Sequence, residues 1–330
     1  MADNKQKYIC LCAMLRAREP LMLTNEKAAL CCDAQSFEDA ARIIGECGFA
    51  DMSGLDIEGV NKAVSDHLEG IYEEVRRLSP GTEAVDIFSA KYDYHNAKTL
   101  IKGEAAGADR DGLYLCLGRV LPEKLVYAYT EDNYRDVPPA MTEAIKKAKE
   151  IIGRSGNPQQ ADFVLDKAYY KEILDLVVVS GSDFLVKYVK LLIDAANLKT
   201  LVRALKLGKS RDFIAEALIE GGNAEPYRLI TITDGDQLEA FFEGEVLSKA
   251  AALGKEVVAG EKMTGFELSV DNAVNNYLKD SRLITYGPEV VAEYLAAVES
   301  ESTAVRMILT CKLAGVKADT IKERLRDLYA

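Results

Sequence analysis

The sequence contains only two histidines, His67 and His95, and no apolar run approaches the roughly 18 residues that a membrane-spanning helix needs. It also lacks a polybasic cluster, and its formal net charge of −12 opposes binding to nucleic acid and anionic lipid. The apolar stretch "YICLCAML" near the start lies in helical-looking sequence without a small-residue cleavage site, so we predict no signal peptide. We therefore expect a cytoplasmic protein with no direct lipid anchor, which would dock on protein if it works at a membrane.

The seven cysteines form an odd set, which favours reduced thiols in a chain with no secretion signal. Five of them precede residue 50, but their spacings are C-x-C and C-C, whereas zinc sites use paired C-x2-C. Small residues in helix cores explain them better. The sequence thus predicts no metal and no cofactor.

Helical periodicity dominates the chain and predicts an all-α protein. Five prolines each stand near the start of a helical pattern, where a missing N–H is tolerated: Pro122, Pro139, Pro158, Pro226 and Pro288. The best β-like run is "YRLITIT" at 227–233, and it is isolated. We interpret that run as an extended connector.

One stretch of fifteen residues occurs three times, beginning at Asp93, Asp194 and Glu301, about a hundred residues apart. Counting these acids as position zero, positions +4, +7 and +8 are apolar in every copy and position +14 is glycine. Position +3 is asparagine in two copies and alanine, Ala304, in the third. The repeat is therefore defined by Asp93, Asn96, Gly107, Asp194, Asn197, Gly208, Glu301 and Gly315.

The similarity extends beyond this stretch. Before the second and third copies, Asp162 and Asp166 match Glu267 and Asp271. After the position +14 glycine, we expect the first copy to contain an insertion relative to the other two. One unit is thus a long helix, a turn, a second long helix that ends at glycine, and a short helix. We expect three helical lobes at residues 1–130, 131–230 and 231–330. The first lobe would include the N-terminal helices.

The position-zero acids fall within the apolar stripe of their helices, because positions +4, +7 and +8 lie on the same side at 100° per residue. A carboxylate there is costly unless a partner satisfies it. We interpret Asp93, Asp194 and Glu301 as structural acids that cap a neighbouring helix or pair with a basic group. The alternative, a catalytic acid or metal ligand, is weaker, because three copies so far apart in sequence form no single site.

Basic residues at positions +5 and +9 lie on the opposite side of the same helices. A solvated face and a binding patch both fit this pattern. The candidate interface residues are Lys98, Lys102, Lys199, Arg203 and Arg306.

Four ordered stretches carry a resemblance that spans the chain. They are the opening "YICLCAMLRAREPLML", the helices "YDYHNAKTLIKG" and "IDAANLKTLVRALKLG", the pair "YGPEVVAEYLAAVESESTAVRMILTCKLAG", and the terminal "IKERLRDLY". Together they resemble the C subunit of the V/A-type rotary ATPases, the counterpart of the d subunit of eukaryotic vacuolar ATPases. The sequence departs from the family's Asp-x-x-Asn-x-Lys helix at Ala304, and His95 adds an unusual imidazole.

The resemblance implies a funnel-shaped protein with three pseudo-threefold-related helical lobes. It also implies a rotor part without chemistry of its own, on the cytoplasmic face of the membrane. That part would couple the central shaft, made of the D and F subunits, to the membrane rotor ring, and so link ATP hydrolysis or synthesis to proton or sodium transport.

Two other functions fit the sequence less well. The run "LGKS" at 207–210 is similar to the end of a phosphate-binding loop, but Arg203 stands where that motif needs glycine, and the run follows a helix. A general α-helical scaffold outside any rotary ATPase is the remaining alternative, although solenoid repeats have shorter periods, of roughly 20–50 residues.

Overall fold

The computed structural model describes residues 5–107 and 112–328, and within these ranges the chain is all-α, as the sequence predicts, with no strand. Two short 3-10 turns, Glu19–Leu21 and Asp280–Leu283, also occur. The α-helices are α1 (Ile9–Arg18), α2 (Asn25–Asp33), α3 (Phe37–Gly45), α4 (Ile57–Leu78), α5 (Glu83–Ala106), α6 (Pro122–Thr130), α7 (Pro139–Ser155), α8 (Pro158–Ser180), α9 (Asp183–Lys206), α10 (Arg211–Ala217), α11 (Pro226–Leu229), α12 (Gly235–Phe241), α13 (Ser248–Val258), α14 (Met263–Lys279), α15 (Pro288–Leu313) and α16 (Ala318–Lys322).

Proline and glycine set many of the helix boundaries. Helices α6, α7, α8, α11 and α15 each begin at a proline, which confirms the sequence prediction for all five. The connector expected at 227–233 is wrong, because α11 occupies its first half and backbone turns continue to Ile232. Leu229 and Ile232 are buried there, so the β-like pattern reflects two apolar anchors on a short helical turn.

The glycines at position +14 all lie just beyond their helices in the left-handed region. The φ angles are 60° at Gly107, 59° at Gly208 and 71° at Gly315. A residue with a Cβ rarely adopts this conformation, so glycine is the natural helix stop. The stop after α9 is completed by a bond from the N–H of Lys209 to the carbonyl of Ala204.

The described chain forms two compact units. One unit comprises residues up to 85 together with those from 262 onward, and the other comprises residues 86–261. In the first unit α15 packs along α4, with Val60 and Val64 of α4 in the same apolar core as Val305 and Ile308 of α15. In the second unit the apolar core joins residues of α5, α6, α7 and α8.

The repeat unit inferred from the sequence corresponds to observed helices. In the second copy α8 and α9 are the two long helices, Gly208 is the stop and α10 is the short helix. In the third copy these elements are α14, α15, Gly315 and α16. In the first copy α4 and α5 lead to Gly107, and the next described helix is α6. None of the helices in the described ranges combines the length and apolar character that crossing a membrane requires.

Candidate functional site

Asp93 lies near the middle of α5, and its side chain is fully buried. Its Oδ1 accepts the backbone N–H of Val120 at 3.0 Å, and its Oδ2 accepts from Nε of Arg119 at 2.7 Å. Val120 lies two residues before α6, so the carboxylate ties α5 to the segment that leads into the next helix. Burial of this acid is therefore matched by one backbone donor and one cation.

Arg119 extends this arrangement to a third helix. Its Nη1 donates to Oε1 of Glu172 on α8 at 2.8 Å, and the hydroxyl of Tyr94 donates to Oε2 of the same glutamate at 2.8 Å. One largely buried guanidinium thus bridges two carboxylates from α5 and α8. The cluster fixes the relative position of these helices within the second unit.

Asn96, three residues after Asp93, binds the same returning segment. Its Nδ2 donates to the carbonyl of Leu115 at 2.8 Å, and its Oδ1 accepts the N–H of Leu115 at 2.9 Å. The side-chain amide therefore satisfies both backbone groups of a loop residue.

The second copy repeats this geometry. Oδ1 of Asp194 accepts the N–H of Ala224 at 3.0 Å, and Oδ2 accepts the N–H and Nδ2 of Asn223 at 3.1 and 2.8 Å. Asn197 exchanges two hydrogen bonds of 2.8 Å with the backbone of Ile219. The side-chain amide of Asn223 thus takes the place that the guanidinium of Arg119 has in the first copy.

The returning segments share a spacing that the sequence analysis missed. In each case the residue bound by the asparagine precedes the residue bound by the acid by five positions, Leu115 to Val120 and Ile219 to Ala224. Leu115 follows the helix-ending glycine of its copy by eight positions, whereas Ile219 follows its own by eleven. The insertion expected in the first copy is therefore wrong, since this connection is three residues shorter.

A glycine lies two positions before each acid-bound residue, at Gly118 and Gly222. A Cβ added to either glycine would overlap Oδ1 of Asp93 or of Asp194, respectively. The pattern L-x-x-G-x-V in one segment and I-x-x-G-x-A in the other is the signal that could have located these segments from sequence. This pattern is too short to be recognised by itself, and it becomes informative only once the positions of the buried acids are known.

In the third copy the backbone N–H that the acid accepts belongs to Leu23, near the start of the described chain. Oε1 of Glu301 on α15 accepts the backbone N–H of Leu23 at 2.6 Å. Burial raises the pKa of this carboxyl from 4.5 to about 7, against the opposing effects of the Leu23 N–H and Lys27. Position zero is therefore occupied in all three copies by a buried acid that accepts a backbone N–H.

Ala304 now has a physical explanation. The residue five positions before Leu23 is Arg18, which ends α1 and leads directly into the turn Glu19–Leu21. Its neighbours are bonded locally, as in the N–H of Glu19 to the carbonyl of Leu15. Helical backbone needs no asparagine to satisfy it, and Ala304 is itself buried in the apolar core of the first unit.

Two of the five basic candidate residues pair with α8 inside the second unit. Nζ of Lys98 lies 2.5 Å from Asp166, and Nζ of Lys102 lies 2.6 Å from Asp162. These acids are the upstream members of the next repeat, so the far side of α5 faces a neighbouring helix.

The other basic positions lie on α9 and α15. Nη2 of Arg306 donates to Oγ of Ser65 on α4 at 3.0 Å, within the first unit. Lys199 is half-buried and Arg203 is exposed on α9. Four of the five positions thus lie in the second unit and Arg306 lies in the first, and their role as an interface stays a prediction.

The remaining sequence features have structural roles. In the run "LGKS", the glycine ends α9 and Ser210 caps α10 by accepting the N–H of Phe213. His67 stacks on Phe49, and its burial lowers its pKa below the usual 6.5. His95 is exposed, with Nε2 3.3 Å from the carbonyl oxygen of the residue at 113. Across residues 5–107 and 112–328, no group of three or more His, Cys, Asp or Glu side chains has the arrangement of a metal site.

Comparison with known proteins identifies one family. Residues 11–324 match the family described as ATP synthase (C/AC39) subunit. The match includes all three copies of the repeat and the segment around Leu23.

Individual relatives are distant in sequence but similar in length. The C subunit of the V-type sodium ATPase of Enterococcus hirae is 23% identical over 261 residues, which cover 78% of this chain and 79% of that protein. The C subunit of the A-type ATP synthase of Methanocaldococcus jannaschii is 23% identical over 354 residues, with 99% and 88% covered. The C subunit of the A-type ATP synthase of Haloferax volcanii is 21% identical over 289 residues, with 83% and 82% covered.

Proposed function

Because this chain belongs to the ATP synthase (C/AC39) subunit family, we propose that it is the non-catalytic coupling subunit of a V/A-type rotary ATPase. The observation that carries the proposal is the extent of the family match, residues 11–324. The proposal is supported by relatives that align with most of the chain. They are named as the C subunits of a V-type sodium ATPase and of an A-type ATP synthase.

The buried acids support a mechanical role. A part that transmits torque has to keep its shape under load, and each second long helix is tied to another segment of the chain by a buried carboxylate. In the second unit the Arg119 bridge adds a link to α8. The carboxylates that a catalytic hypothesis would use are instead occupied by backbone and side-chain donors.

The proposed partners are the D and F subunits of the central shaft and the subunits of the membrane rotor ring. The protein would lie on the cytoplasmic face of the membrane and pass rotation between shaft and ring. ATP hydrolysis or synthesis in other subunits would then be linked to proton or sodium transport. The net charge of −12 favours docking on protein over docking on anionic lipid.

We retain the three-lobe division at residues 1–130, 131–230 and 231–330 as part of the proposal. A buried acid that accepts a backbone N–H recurs in α5, α9 and α15, which supports a threefold internal repeat, and the third of these contacts joins Glu301 to Leu23 of the first lobe. In such a repeat each lobe would present the same kind of helix to a shared axis.

The decisive experiment separates two activities that normally occur together. Membrane vesicles from cells that lack this gene should still hydrolyse ATP, because other subunits carry out that chemistry, but they should not take up ions. Re-expression of the wild-type gene is the control and should restore uptake. Ion uptake at the normal ratio to hydrolysis in the deletion vesicles would refute the coupling role.

A further inference from the structure

The contact between Glu301 and Leu23 differs from the other two acid contacts in the number of residues that separate the acid from its backbone donor. The backbone donor follows the acid by 27 residues in the first copy and by 30 in the second. In the third copy Leu23 precedes Glu301 by 278 residues. The first two contacts therefore join neighbouring stretches of chain, whereas the third joins residues 5–24, here called the N-terminal arm, to α15.

Helix α15 has three buried glutamates on the face that meets the arm. Glu289, Glu293 and Glu301 are spaced by four and eight residues, which places them on one side of a helix. The positions equivalent to the first two hold glycine and valine in the first copy, and serine and valine in the second. The two additional acids therefore belong to the third copy alone.

Each of these glutamates binds a group of the arm. Nζ of Lys5 lies 2.8 Å from Oε1 of Glu289, and Nη2 of Arg16 lies 3.0 Å from Oε2 of Glu293. The hydroxyl of Ser281 also donates to Glu293, and the side chain at 282 lies 3.9 Å from the same carboxylate. Charge pairing thus supports the one junction of the repeat that has no short connection along the chain.

Dissolved salt can screen these ion pairs, because the cations are partly exposed to solvent. The Lys5 and Arg16 side chains are 45% and 25% exposed. The arm also has an apolar side that is buried. The arm buries six apolar side chains, so the attached arm is the ground state and the detached arm is a minor state; they are Tyr8, Leu11, Cys12, Leu15, Met22 and Leu23.

We propose that the N-terminal arm is an electrostatic clasp, which detaches as one segment from α15 and from α4, where Arg18 pairs with Glu74, while the rest of the first unit stays folded. Proteins open locally, in cooperative segments, with free energies below that of global unfolding. If the proposed function is correct, on which this further step rests, the clasp allows the unit to loosen when the protein joins or leaves its complex.

Hydrogen exchange on the purified full-length protein tests the clasp without reference to ATPase activity. Amides of residues 9–24 should exchange by a local opening, faster than those of α4 in the same unit. Replacing both cations, Lys5→Gln with Arg16→Gln, leaves the buried carboxylates of Glu289 and Glu293 without these partners, so it should speed exchange in the arm by at least about tenfold and leave α4 unchanged. The matched control is Lys322→Gln, which breaks the Lys322–Asp33 ion pair of the same unit and should not affect the arm.

A second test measures how hydrogen exchange in the wild-type protein depends on salt concentration, and it needs no variant. Raising ionic strength shortens the screening length, so exchange in the arm should accelerate while α4 stays unchanged. Equal exchange rates for the arm and α4 at low and high salt would overturn the clasp. The same holds if the double variant speeds exchange in both segments together, because the arm would then unfold only with the whole unit.

Discussion

The carboxylate of Glu301 accepts the backbone N–H of Leu23 at 2.6 Å, a contact between residues near opposite ends of the described chain. Two further acids, Asp93 and Asp194, bind backbone N–H groups in the same way. Asp93 also pairs with Arg119, and Asp194 also accepts from the side-chain amide of Asn223. Because these additional partners differ, substitution of the three acids should have different consequences.

Glu301 should make stability depend on pH near neutrality. Its pKa is about 7 in the folded protein and 4.5 ordinarily, so between these values the folded state binds more protons than the unfolded state. The corresponding stabilisation is complete below about pH 4.5 and is lost as the pH rises through 7. Glu301→Gln keeps an acceptor oxygen for Leu23 and should remove this dependence.

The measurement is urea unfolding of wild type and Glu301→Gln at pH 5 and pH 8. The stability difference between the two proteins should change by on the order of 2–3 kcal/mol across this interval, with the variant relatively more stable at pH 8. Parallel curves at both pH values would show that Glu301 does not titrate in this range.

Asp194→Ala should lower the free energy of unfolding by about 1–3 kcal/mol, because two backbone N–H groups and the Asn223 amide lose their acceptor. Asp175→Ala on the adjacent α8 is the control, since the side chain at 175 is exposed and its removal should change stability little. A denaturation midpoint for Asp194→Ala equal to that of the control would show that the carboxylate contributes nothing to the contact.

Gly222→Ala should destabilise the protein by about 1–3 kcal/mol, because the added Cβ overlaps Oδ1 of Asp194 and crowds Ile193. Gly153→Ala is the matched control in α7, where an added Cβ meets nothing within 4 Å. That control should stabilise the protein by roughly 0.5–1 kcal/mol through helix propensity. Thermal unfolding of both variants checks the prediction, and a stabilising Gly222→Ala would contradict the steric argument.

Arg119→Met should cost about 3–5 kcal/mol, because it leaves the carboxylates of Asp93 and Glu172 buried without their shared cation. The exposed pair of Arg154 with Glu150 is the comparison, and Arg154→Met should cost less than about 1 kcal/mol. Adding Glu172→Gln to Arg119→Met should recover part of the loss in a urea titration. A double variant that is no more stable than Arg119→Met would argue against uncompensated charge as the cause.

The sequence was sufficient for features that depend on short-range order. Apolar spacing predicted the helices, prolines marked where five of them begin, and the fixed register from position zero to +14 defined the three copies. These signals are local because capping, backbone φ and helical periodicity each involve residues within a few positions of one another. The connector at 227–233 was mispredicted because its apolar residues fit a strand and a short turn equally well.

The sequence also indicated that the position-zero acids need partners, because a carboxylate in an apolar stripe has to be satisfied. It did not identify the donors. The segments at 115–120 and 219–224 are short and resemble each other at few positions, so they stand out only when Asp93 and Asp194 are seen to bind them.

The tertiary structure alone decided how the third copy is completed. No local pattern connects Leu23 to Glu301, since 278 residues separate them and a backbone N–H has no sequence signature. The same limit applies to Lys98, whose helical position predicts only which way it points, while the neighbouring α8 supplies Asp166 as its partner. Periodicity fixes the direction of a side chain from its own helix, but its partner depends on which distant helix packs there.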